Sequence, residues 1–180
     1  MHRNKLREMI KKYESVYAKE IESKSRMLDF LDKSEDCFKR SLEEGHFTGS
    51  AWLVNSNNTK FLLTLHKKVG LWMQLGGHAD GDNDLARVAL KEAYEESGLQ
   101  NIQFISNDIF DIDVHFLEAY KGVPPHYHYD VRFILRADSD NIQISDESED
   151  LQWFSTPPVQ RCGDIARMYE KWKKFFSESF

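Results

Sequence analysis

At 180 residues the chain is long enough for one domain with a sizeable core, or one domain with a helical appendage. It carries 24 Lys and Arg against 30 Asp and Glu, a net charge of -6, which argues against nonspecific nucleic-acid binding because that needs a basic surface to displace counterions from phosphates. Cys37 and Cys162 stand far apart without C-x-x-C spacing, no apolar run reaches the roughly 18 residues of a membrane helix, and the charged N-terminus has no signal-peptide core, so a cytoplasmic protein with reduced thiols is expected.

In chain order, Leu6, Met9, Ile10, Tyr13, Val16, Tyr17 and Ile21 recur at helical spacing and predict one amphipathic helix over residues 4 to 22. Ser25 opens a second, short helix through Met27, Leu28, Phe30 and Leu31. Ser34, followed by Glu35 and Asp36, reads as the N-cap of a third with Phe38 and Leu42 inward. Gly45 ends the group. These helices need a surface for their apolar faces, which packing on their own domain, a homodimer arm or a substrate-side wall would each provide.

From His46 the period changes to two. Phe47 to Asn55 and Lys60 to His66 read as a hairpin around Ser56-Asn57-Asn58-Thr59, and Leu71 to Leu75 as a short strand leading into Gly76 and Gly77. A helix follows, with Asn83 or Asp84 as N-cap, Leu85, Ala86, Ala89, Leu90 and Ala93 as its apolar stripe, and Gly98 as its left-handed stop. Glu92, Glu95 and Glu96 stand at i, i+3 and i+4, so at about 100° per residue their carboxylates share one face. Like charges so placed disfavour a bare helix by roughly 0.2–0.5 kcal/mol per pair. A hard divalent cation, Mg²⁺ or Mn²⁺, suits such an oxygen cluster and keeps positions open for water and phosphate.

Beyond this helix, Ile102 to Ile105 and Ile109 to Glu118 read as strands, the second with Ile112, Val114 and Phe116 buried against Asp111, Asp113 and His115. His126 to Ala137 is a strong strand carrying His126, His128 and Asp130 on one face. That H-x-H-x-D face can bind zinc or iron, stay structural, or touch substrate. An acidic loop over 138–150 precedes the short strand Leu151 to Phe154, and Gly163 to Phe176 forms a last amphipathic helix.

Gly76 to Leu99 resembles the Nudix box, G-x5-E-x7-R-E-U-x-E-E-x-G-U with U a bulky apolar residue. Gly77, Glu92, Ala93, Glu95, Glu96, Gly98 and Leu99 are in register, while Asn83 replaces the first Glu and Lys91 the Arg. In the family those two residues tie the loop to the helix. The resemblance implies an α/β/α sandwich with a mixed sheet over residues 46–180, preceded by a helical extension over 1–45. It also implies a pyrophosphohydrolase with Glu92, Glu95, Glu96 and the Gly76 carbonyl as Mg²⁺ or Mn²⁺ ligands, and Glu95, Glu96 or a glutamate outside the box, Glu147 ahead of Glu149 and Asp150, as catalytic residues. Substrate contacts are expected from Lys67, Trp72, His78, His126 and His128, with Trp52, Trp72, Tyr127 and Tyr129 as stacking candidates. The expected partner is a small nucleotide, ADP-ribose or a nucleotide sugar first, with no membrane or nucleic acid. Oxidised nucleoside triphosphates, dinucleoside polyphosphates and a non-catalytic nucleotide sensor or scaffold are the alternatives.

Overall fold

The computed structural model of the protein describes residues 2–120, 122–146, 148–160, 162 and 164–177. The elements run α1 (Asn4–Lys12), α2 (Ala18–Lys33), β1 (Gly45–Val54), β2 (Phe61–His66), β3 (Trp72–Met73), β4 (Leu75–His78), α3 (Leu85–Ser97), β5 (Ile102–Phe104), β6 (Asp111–Leu117), β7 (His126–Ala137), β8 (Ser148–Phe154) and α4 (Ile165–Ser177). They form one mixed sheet between helices. β1 is its spine, parallel to β7 along one edge and antiparallel to β4 and β2 on the other, while β5 and β6 pair with β7, and β3 and β8 with β2.

Alternation along β1 sorts its residues onto two faces. Phe47, Ala51 and Leu53 join the larger core with α1, α2 and α3, whereas Trp52 and Val54 join the smaller one under α4 with Phe61, Ile134, Met168 and Trp172. Gly49 lets α3 approach: a Cβ there would sit 2.6 Å from the Leu85 carbonyl oxygen and 3.0 Å from Val88. Between Ser50 and His46 the second face turns polar, and this stretch lies next to Gly76.

The N-terminal helices are built into the domain's own core. Leu6, Ile10, Met27, Phe30 and Leu31 are buried beside Phe47 and Tyr129, and burying side chains of this size stabilises by about 1.5–3 kcal/mol each. Three expectations fail here: the short helix expected from Ser25 instead starts at Ala18 and runs 16 residues, and two others differ more. The helix expected over 4 to 22 breaks after Lys12, where the Ser15 hydroxyl accepts the Tyr17 N–H at 3.0 Å and Lys24 Nζ donates to the carbonyls of Lys11 and Tyr13 at 2.8 and 2.6 Å. A local side-chain bond competes with the next helical turn, and the lysine satisfies the carbonyls the break exposes. The third helix at Ser34 is replaced by turns, because the backbone is used outward: Cys37 O accepts from Phe47 N–H and Phe38 O from Gly81 N–H, both at 2.8 Å.

Two strands also differ from expectation. Leu71 to Leu75 splits into β3 and β4, with Gln74 between them. On β6 the polar residues are buried and the apolar end is not: Asp111 and Asp113 are enclosed, while Phe116 is 47 % exposed. The charges are tolerated because Arg132, Arg167, Lys171 and Lys19 meet them, a consequence of α4 and α2 closing over this edge.

Candidate active site

The box residues form as the pattern requires. Asp84 caps α3, its carboxylate accepting the Arg87 N–H at 3.4 Å, and Gly98 closes the helix at φ 67° with Leu99 folded into the core. The acidic face of α3 then meets β4: the Gly76 N–H donates to Glu96 at 2.7 Å, and a Cβ on Gly77 would lie 2.5–2.7 Å from the Glu92 carboxyl group. Glycine at 77 is what admits the Glu92 carboxylate to the backbone, while a Cβ on Gly76 would run into Ser50 of β1.

Glu92 is largely enclosed and Glu95 largely exposed, their side chains 17 and 57 % accessible. Lys91 Nζ lies 3.1 Å from each, and these hydrogen bonds, Glu95's first, raise its pKa. Carboxylates converging on a glycine backbone, with an ammonium group already among them, fit a hard divalent cation in both charge and donor type.

Lys91 therefore turns toward the glutamates, and the loop is held by other means. Asp82 accepts two bonds from Arg87 at 2.7 and 2.6 Å, Asp80 two from Arg40 at 2.5 Å, and Asp84 one from Lys5 of α1 at 2.6 Å. Two of these clamps come from residues 1–45. The extension fastens the loop that carries the box.

Around the edge of β4 the polar face of the sheet begins. Asp130 accepts from Thr48 at 2.8 Å, Ser50 at 2.7 Å, Gln74 at 3.2 Å and Arg132 at 2.7 Å, so it is fully occupied and takes no part in an H-x-H-x-D metal set. His126 and His128 belong instead to a bank with His46, His78 and His115, five of the chain's seven histidines, with neighbouring ring centres 4.9–5.4 Å apart. Burial, reinforced by the neighbouring imidazoles, lowers the pKa of His46 to about 4 and of His128 to about 2; burial and the Arg40 charge lower that of His78. Burial thus favours the neutral form of His46, His78 and His128. His46 escaped the sequence reading; its one signal was the polar alternation His46, Thr48, Ser50 at the start of a buried strand.

The other candidates scatter. Lys67 donates to the Asp146 carbonyl at 2.5 Å, and Trp72 packs edge-on to Phe154 at 4.9 Å. Trp52 and Tyr129 are core residues, Tyr129 stacked on Phe30 at 4.0 Å, so neither offers a face to a base; Tyr127 lies under the Arg26 guanidinium. Asp150 and Glu149 lie on β8, and Glu147 falls outside the described residues. A groove of about 770 Å³ between the α1–α2 turn, Phe110 and α4 contains none of the box residues.

The model of the NUDIX domain matches residues 46–172. The chain belongs to the Nudix family, and the class this defines is that of pyrophosphohydrolases. Solved structures with the same fold include a Nudix-family hydrolase from Clostridium perfringens (22 % identity, covering 72 % of this chain and 97 % of that one, TM-score 0.57). A C. elegans Ap4A hydrolase complex is similar at 21 % identity, 74 and 98 % coverage and TM-score 0.56. An ADP-ribose pyrophosphatase from Streptococcus suis is similar at 20 % identity, 72 and 90 % coverage and TM-score 0.51. No curated protein matches the sequence. Among the described residues no helix is long and apolar enough to cross a membrane.

Proposed function

We propose that the protein hydrolyses the phosphoric anhydride of a nucleoside diphosphate linked to a second group, with ADP-ribose or a nucleotide sugar as the substrate class. Water attacks one phosphorus, the bridging P–O bond breaks, and the products are a nucleoside monophosphate and the phosphorylated second group. The observation that carries this reading is the convergence of Glu92 and Glu96 on the Gly76–Gly77 backbone. Glu92, Glu95, Glu96 and the Gly76 carbonyl would hold Mg²⁺ or Mn²⁺. Such an ion neutralises pyrophosphate charge and lowers the pKa of water.

The chain's own groups divide the remaining work. The Gly76 N–H orients Glu96, which accepts the proton of the attacking water, with Glu147 as the candidate outside the box. Lys91 balances Glu92 and Glu95 until substrate arrives. Trp72, Lys67 and the half-buried histidines His78, His126 and His128 belong to the substrate side. The likeness to the Streptococcus suis ADP-ribose pyrophosphatase supports the leading substrate class, and the likeness to the C. elegans Ap4A hydrolase supports dinucleoside polyphosphates as the next to test. A nucleotide sensor is the second reading, favoured by Lys91 lying among the carboxylates where a cation would sit.

Product chromatography decides between them. Wild type with Mg²⁺ or Mn²⁺ is expected to cleave one class from a panel of ADP-ribose, nucleotide sugars, dinucleoside polyphosphates and oxidised dGTP, and Glu96→Gln to lose about 10²–10⁴-fold in rate. Tight binding of one compound without cleavage would replace the hydrolase reading with the sensor.

A further inference from the structure

We propose that His46, His78 and His128 form a transition-metal site separate from the box glutamates, taking Zn²⁺ or another divalent ion that favours imidazole. The site follows from register. Parallel pairing of β1 and β7 sets His46 beside His128, and antiparallel pairing of β1 with β4 sets His78 beside Thr48, one pleat away on the same face. One potential ligand nitrogen from each of the three lies within 4.8 Å of the others.

A fourth imidazole is close by. His126 Nδ1 lies 2.8 Å from the Pro124 carbonyl, an acceptor that holds the proton on Nδ1 and leaves a lone pair on Nε2, which lies 3.3 Å from His128 Nε2. Two nitrogens bound at about 2.0–2.1 Å to one tetrahedral ion are themselves about 3.3–3.4 Å apart. The pair already stands at that spacing, and the carbonyl plays the orienting part that metal-bound histidines usually find in a neighbour.

An independent observation points to a ligand. His46 is 3 % exposed and, among the described residues, neither of its ring nitrogens has a hydrogen-bond partner, although it faces three other imidazoles. A histidine kept for packing alone would be expected to satisfy at least one nitrogen within the protein. Trp52 and Trp172 also bury an unpartnered N–H, but each lies in the apolar core beneath α4, where no lone pair is offered and no ligand cluster surrounds it.

The donor chemistry separates this site from the glutamates. Imidazole selects zinc, cobalt or nickel, whereas carboxylate and carbonyl oxygen select magnesium or manganese. Excess Mg²⁺ will therefore occupy the oxygen cluster without competing for the histidines. The inference does not depend on which nucleotide the protein cleaves, or on whether it cleaves one.

The test is metal binding by the whole chain. After chelator treatment, the protein is dialysed against Zn²⁺ in a large excess of Mg²⁺ and bound zinc is counted by atomic absorption. Wild type and Glu96→Gln are expected to hold one zinc per chain, with at least about tenfold weaker binding in His78→Gln and His128→Gln. No zinc on wild type, or zinc lost in Glu96→Gln and kept in the histidine variants, would overturn the proposal. Co²⁺ bound to wild type under the same conditions gives a reading independent of any variant's folding. Intense visible bands of a four-coordinate nitrogen site are expected, and the faint spectrum of a six-coordinate oxygen site would overturn it.

Discussion

Two buried polar clusters share the same side of the sheet, centred on Arg132 and His128 only four residues apart along β7, and they are finished differently. At the Arg132 end every charge is met: the guanidinium bonds Asp130 at 2.7 Å and Asp111 at 2.8 Å, Arg167 bonds Asp111 at 2.9 Å and Glu20 at 2.7 Å, and Lys171 reaches Asp111 at 2.8 Å and Glu20 at 3.1 Å. At the His128 end the rings crowd together, and neither His46 nitrogen has a hydrogen-bond partner among the described residues. Burial alone therefore does not mark a functional group. The first cluster is closed by its own counter-charges and joins α2, β6, β7 and α4; the second is left open, one pleat from the box glycines.

The contrast can be broken at either end, starting with the larger effect. Arg132→Ala strips Asp111, Asp113 and Asp130 of a shared cation, and an uncompensated buried charge costs about 3–5 kcal/mol. Urea unfolding should show that loss; less than about 1 kcal/mol would mean that water already enters the cluster. At the open end the sign reverses. His46→Phe removes two unpartnered nitrogens and should stabilise the chelator-treated protein by about 1–3 kcal/mol, while abolishing zinc binding. Destabilisation in the same urea experiment would show that the His46 nitrogens are satisfied.

The third and smallest effect is on pH. Burial would raise the Asp111 pKa, but the charge of Arg132 and the hydrogen bond from Arg167 outweigh it and hold the group well below the carboxylate range. Asp113 is likewise depressed, burial being outweighed by the His115 hydrogen bond and by Arg132. With unfolded values near about 3.9, the unfolded chain takes up protons first as pH falls, so this stabilisation is full above about pH 4 and is lost below it. The slope is at most about 1.4 kcal/mol per pH unit for each group. Asp111→Asn should flatten the acid limb of a stability–pH curve, and an unchanged limb would move the acid sensitivity elsewhere.

Much of the fold was legible because local pattern and tertiary context agree. The box helix, its Asp84 cap, its Gly98 stop, the 126–137 strand and the last helix all formed where periodicity and capping chemistry put them. The first 45 residues were misread at Ser15 and Ser34, where side-chain and loop hydrogen bonds outcompeted helix propagation. On β6, alternation correctly placed Ile112 and Val114 inside, but the opposite face at Asp111 and Asp113 is buried as well. The cations that bury Asp111 and Asp113 come from Lys19, Arg132, Arg167 and Lys171, up to 94 residues away along the chain.

What the amino-acid sequence determined by itself is the short-range chemistry: three glutamates on one helical face, the glycines that receive them, and the resemblance these carry, because helix geometry converts spacing into direction. Only the tertiary structure decided how the histidines and charges are grouped. His46 meets His128 through a parallel strand pairing across 82 positions, and Lys5 and Arg40 tie down a loop at Asp84 and Asp80. Pairing register and the docking of distant helices are properties of the assembled sheet, and no local period in the chain encodes them.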